Sequence, residues 1–175
     1  MKEVAKMEIK GIKKLNKVIS AQLKPFGISK AECDTGYTYC YADNSVTFKI
    51  QENEPDDIHF AKFIEKRFGY KPKYIFIISL LHEVGHYQTF DDVDGGMLNF
   101  CQLEKQRIIK ESENTSEEKL LELEEQYFNL PDELLATYWA VEYAKNHPQE
   151  IQKMWNIAKT ALFEFYQENG LLDNI

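Results

Sequence analysis

The chain has 175 residues, 43% of them hydrophobic and 29% charged, a make-up suited to one globular domain with a real core. Its formal net charge of −8 argues against direct binding to nucleic acid or to an anionic membrane surface. Cys33, Cys40 and Cys101 form neither a disulfide framework nor a metal-type spacing, so they read as packing cysteines in a reducing, cytoplasmic setting.

Residues 2–24 place Val4, Met7, Ile12, Leu15, Val18, Ile19 and Leu23 on a helical period with lysines between them. The stretch is charged and amphipathic and lacks the apolar block of a signal peptide. Pro25 and Gly27 end it. Over 36–50 the period changes: Tyr37, Tyr39 and Tyr41 alternate with smaller residues, and Val46, Phe48 and Ile50 alternate with polar ones. This predicts a β-hairpin turning at 42–45, whose second strand either covers the core or offers an edge to an extended peptide. Pro55, preceded by Asn53 and Glu54, starts an amphipathic helix through Ile58, Ala61, Ile64 and Phe68, closed by Gly69. His59 on this helix reads as an ordinary surface or packing residue.

Residues 74–81 are a continuous apolar run, far short of the roughly 20 residues that span a membrane. The run predicts a buried helix over 73–89 that leads into His82-Glu83-Val84-Gly85-His86. Histidines four apart lie on one helical face and can grip one zinc ion. Glu83 then points to the ion's open side, where the metal acidifies water and a carboxylate can take and return the proton. A helix with two surface histidines is the alternative, but imidazoles and a carboxylate at the end of a buried helix need partners, and a metal is an economical one. Gly85 costs about 1 kcal/mol against alanine inside a helix, tolerable where another backbone or a ligand comes close.

Asp91, Asp92, Asp94, Gly95 and Gly96 read as a solvated loop without the spacing of a calcium hand. Helices are predicted over 97–111, from a Thr115/Glu118 capping box to 128, from Pro131 to Asn146, and over 149–169 with Gly170 as stop. No repeat or linker divides the chain, so residues 1–175 are expected to form a single helix-dominated α+β domain with one small sheet near the N-terminal half.

A catalytic zinc usually takes three protein ligands. Asp92, six residues beyond His86, has a suitable separation, but the tight left-handed turn it needs falls at Thr89, whose branched β-carbon disfavours positive φ. Glu133 begins a separate helix, with Thr137 one turn on for support and Ala136 and Ala140 permitting close approach, and is the preferred third ligand. A helix-dipole role would also suit it.

With His82-Glu83-Val84-Gly85-His86 followed by Glu133-Leu-Leu-Ala136-Thr137-Tyr-Trp139-Ala140, the chain resembles the gluzincin metallopeptidases, and within them the ImmA/IrrE family. That family's pattern is His-Glu-x-Gly-His and then Glu-x-x-Ala-Asn-x-Phe-Ala; here Thr137 replaces the usual Asn and Trp139 the usual Phe. The resemblance implies a zincin-like fold with the sheet packed on the HExxH helix. It also implies zinc held by His82, His86 and Glu133, and cytosolic cleavage of a protein, often a transcriptional repressor. Glu83 is expected to act as general base and then as proton donor to the leaving amine. Tyr87, Tyr138 and His147 are candidate oxyanion donors. A non-catalytic, zinc-stabilised regulatory or protein-binding module is the competing expectation; zinc binding alone would not need Glu83.

Overall fold

The computed structural model describes residues 11–50, 55–113 and 115–170, the side chain of Asp56 excepted. Helix α1 (Ile12–Leu23) starts after Gly11, which sits at φ 78°, and buries Leu15, Ile19 and Leu23 on one face. The helical period expected over 2–24 is therefore broken at Gly11, and its part carrying Val4 and Met7 lies outside the described residues. A short 3-10 turn, Lys24–Phe26, and Gly27 at φ 94° lead into the sheet.

The sheet has three strands: β1 (Lys30–Cys33), β2 (Thr38–Cys40) and β3 (Ser45–Phe48). β2 and β3 form the expected hairpin, with Tyr39 opposite Val46, and Asn44 at φ 53° completes its turn. β1 was not expected: Lys-Ala-Glu-Cys alternates polar and apolar residues, but over four positions and with small apolar side chains, too short a pattern to mark a strand by itself. It pairs in parallel with β3, Ala31 opposite Val46, and α1 covers it. The strand order β1-β3-β2 puts β3 in the middle, so β3 has no edge to offer a peptide. The exposed-edge alternative for the second strand is thereby corrected: among the described residues β2 has an unpaired side, and its Thr38 and Tyr39 line a cleft.

Five helices follow: α2 (Pro55–Phe68), α3 (Ile75–Gln88), α4 (Gly95–Ser112), α5 (Glu117–Phe128) and α6 (Pro131–Asn146), with α7 (Pro148–Glu168) completing the fold. The cap of α5 is Ser116, whose side chain accepts from the Lys119 amide, one residue after the expected Thr115. The architecture is α+β and helix-dominated. Among the described residues no helix is long and apolar enough to cross a membrane.

α3 is the central element. Every residue from Phe76 to His86 is buried, so no polar face remains and helical periodicity is absent from this segment. It packs along α6, and β2 and β3 lie against it. The main core joins α1, the sheet, α2, α3, α6 and α7. A separate small cluster of Cys101, Ile108, Leu123 and Leu130, with Tyr127 against it, holds the α4–α5 hairpin together.

Candidate metal centre

The last turns of α3 carry His82, Glu83 and His86, and the first turn of α6 carries Glu133. The two helices approach so closely because each offers small residues at the crossing. A Cβ on Gly85 would lie 2.8 Å from the Ala136 Cα and 2.9 Å from its carbonyl carbon, so only glycine fits there. Ala136 and Ala140 are fully buried in the same contact.

This crossing delivers the Glu133 carboxylate between the two imidazoles. His82 Nε2 lies 2.9 Å from Glu133 Oε2, and His86 Nε2 lies 3.4 Å from Oε1. His82, His86 and Glu133 are all buried, and one ligand atom from each falls within 4.8 Å of the others. Tetrahedral zinc with ligands at about 2.0–2.2 Å would set such atoms roughly 3.3–3.5 Å apart. The donor set, two nitrogens and an oxygen, also suits zinc.

Hydrogen bonding sharpens the fit. The Thr137 hydroxyl donates to the Glu133 carbonyl oxygen at 2.7 Å, one turn back on α6. Its only proton is thus committed, so at 3.0 Å from His82 Nδ1 it can only accept. That places a proton on Nδ1 and, in a neutral ring, a lone pair on Nε2 directed at the Glu133 carboxylate. Two acceptors at 2.9 Å need a cation between them, either a proton or a metal. Thr137 was expected to support the Glu133 side chain; its hydroxyl instead meets the His82 ring and the Glu133 backbone carbonyl.

Burial alone would raise the Glu133 pKa, but hydrogen bonds from His82 and His86, and their charge, hold it well below the usual carboxylate range. Glu83 is different. Its carboxyl is buried, and desolvation pushes its pKa up to about 7 against the opposing effect of His82, with Glu133 adding repulsion. The Tyr39 backbone of β2 acts in the opposite direction and favours the charged form. Two neighbouring carboxylates thus have their protonation driven apart by environment, one kept anionic and one shifted toward neutral pH.

The site opens into a cleft of about 320 Å³ lined by Tyr37, Tyr39, Tyr41, Phe60, Tyr127 and Lys105 among others. Lys105, on α4, had no role in the sequence reading. Its ammonium contacts Glu133, lies 2.6 Å from Asp132 Oδ2 and sits 5.5 Å from the Tyr127 ring centre. Burial opposes its charge, but Glu133, Tyr127 and Asp132 outweigh burial and raise its pKa. One signal was present: Lys105 follows Cys101 by one turn and precedes Ile108 by another, a lysine on the stripe that α4 buries.

Asp92 is not in the metal-capable group; it ends an exposed 3-10 turn, Phe90–Asp92. Thr89 adopts φ −108° and donates its hydroxyl to the Gly85 carbonyl at 2.8 Å, so the chain leaves α3 without the left-handed turn that would bring Asp92 back. The three candidate oxyanion donors are also placed elsewhere. Tyr87 packs on Tyr39, Tyr138 is exposed beside Phe68, and His147 stacks on Tyr143 at the end of α6. None of them lines the cleft, which holds Tyr41, Tyr127 and Lys105 instead. His59 Nδ1 lies 2.6 Å from Glu124 Oε2, a polar contact, and His59 is not in the metal-capable group. The chain matches no protein-family model, no curated protein and no solved structure.

Proposed function

We propose that the protein is a zinc-dependent metallopeptidase of the gluzincin type, akin to the ImmA/IrrE family, that cleaves a protein or peptide in the cytoplasm. The observation that carries this reading is the buried His82–His86–Glu133 group beside Glu83, at the floor of a cleft. His82, His86 and Glu133 would hold the ion. When bound, it would supply Lewis acidity toward a water and toward the scissile carbonyl. Glu83 would take the water proton on its carboxylate and return it to the leaving nitrogen. Thr137 fixes the His82 tautomer with Nε2 toward the ion.

The unpaired side of β2 runs past Glu83 and gives an extended substrate a backbone to pair with. Aromatic residues on both sides of the cleft favour apolar side chains flanking the cleaved bond. A repressor with an extended, accessible segment is a fitting substrate.

Zinc titration of the purified chain tests the ligand set. Glu133→Ala should lose zinc affinity by two orders of magnitude or more, whereas Asp92→Ala should retain it. Glu83→Gln should keep the metal and abolish cleavage of reduced casein and of peptide libraries. Equal cleavage by Glu83→Gln would reject Glu83 as the base, and release of zinc by Asp92→Ala alone would reject the gluzincin assignment.

A further inference from the structure

Glu133 serves two cations. The imidazoles of α3 approach its carboxylate from one side, and Lys105 of α4 reaches the same Oε1 that faces His86. Lys105 is held there by Asp132, which is itself buried and accepts the Glu133 amide on its other oxygen at 3.0 Å. Asp132, Glu133 and Glu83 crowd one desolvated site, and buried carboxylates are costly without counter-charge. Lys105 meets two of them at once.

We propose that Lys105 is a built-in counter-cation of the Glu133 carboxylate and competes with an incoming divalent metal for it. The inference rests on the metal-centre reading and adds a residue that sets the strength of metal binding. A dication seated between His82, His86 and Glu133 would lie close to the ammonium, and like charges on one carboxylate in a low-dielectric site repel strongly. Metal entry therefore displaces Lys105 from Glu133, while Asp132 retains it at the cleft wall. The lysine lowers metal affinity and, in return, offsets the charge of the buried carboxylates when no metal does so.

The test is titration with zinc alone, against a competing chromophoric chelator, of the full-length wild type, Lys105→Gln and Lys105→Arg. Glutamine keeps polar contacts to both acids but removes the charge; arginine keeps the charge. Lys105→Gln should bind zinc roughly tenfold or more tightly than wild type, and Lys105→Arg within a few-fold of it. In excess chelator, the thermal midpoint of Lys105→Gln should fall, and added zinc should raise it by more than in wild type. If Lys105→Gln does not fold, Lys105→Gln/Asp132→Asn read against Asp132→Asn carries the same comparison, with the double variant expected to bind zinc more tightly. Equal or weaker binding on loss of the lysine charge overturns the inference and leaves the metal centre standing. Folded wild type and folded variant that both fail to bind zinc overturn the metal centre, and this inference with it.

Discussion

The α3–α6 pair and the α4–α5 hairpin form opposing walls of one cleft, but they are built differently. In α3 every residue from Phe76 to His86 is buried, and α6 buries Asp132, Glu133, Ala136, Thr137, Ala140, Val141 and Ala144. In α4 only Cys101 and Ile108 are buried, and in α5 only Leu123. Phe100, Leu103 and Ile109 of α4 are more than half or about half exposed. The groups of the proposed metal centre, His82, His86, Glu83 and Glu133, therefore sit where packing permits one arrangement. The hairpin contributes charge and shape through Lys105 and Tyr127 from a region held by a small core and by polar ties. Those ties include Lys105–Asp132 and His59–Glu124. Dense packing suits ligand geometry, and a lightly packed wall suits a side chain that moves.

The comparison is broken most sharply at its glycines. Gly85→Ala should destabilise the fold by about 3 kcal/mol or more, because the new methyl group meets the Ala136 backbone, which cannot move without separating α3 from α6. Gly95→Ala, at the start of α4 with open space around it, should change stability by about 0.5 kcal/mol or less. Urea unfolding of both variants checks the contrast. Zinc binding by Gly85→Ala should fall as well, since the same crossing delivers Glu133.

The next effect depends on pH. The folded pKa of Glu83, about 7, is raised above its ordinary value of 4.5, so the folded metal-free chain binds a proton that the unfolded chain has released. The wild type therefore loses stability as pH rises between about 4.5 and 7, and the loss persists above that range. Glu83→Gln removes the cost of the buried charge. In chelator it should be more stable than wild type by on the order of 3 kcal/mol at pH 8, with the gap closing toward pH 5. A gap that does not narrow at acid pH would show that Glu83 is not the titrating group. Glu133 acts in the opposite sense: its depressed pKa contributes stability that is lost as pH falls below the ordinary glutamate range, so it cannot mimic this profile.

A smaller and more local effect is expected in the hairpin. Leu123→Ala should cost about 2 kcal/mol, at the low end for a buried leucine, because the cluster around it is small enough to collapse. Hydrogen exchange should accelerate in α4 and α5 and stay unchanged in α3. Acceleration in α3 to the same extent would mean that the two walls unfold as one unit.

Much of this molecule is legible in the order of its residues, because the responsible forces are local. Pro131 starts α6 and Pro55 starts α2, since a fixed φ and a missing amide hydrogen suit a first helical turn. The spacing of His82 and His86 puts them on one face of any helix. Alternation over 37–50 marks the β2–β3 hairpin, because side chains in a strand switch faces at each residue. What lay beyond such reasoning depends on contacts between distant segments. β1 is a strand only because β3 pairs with it and α1 covers it. The central position of β3, which leaves β2 to border the cleft, is a matter of strand order, and residue pattern does not encode order. Lys105 is separated from Glu133 by the whole of α5, and its pairing exists only because the hairpin folds back over α6. The Glu83 carboxyl is an ordinary acid in the chain; it becomes a group poised near pH 7 only when burial removes its water and Glu133 is brought beside it.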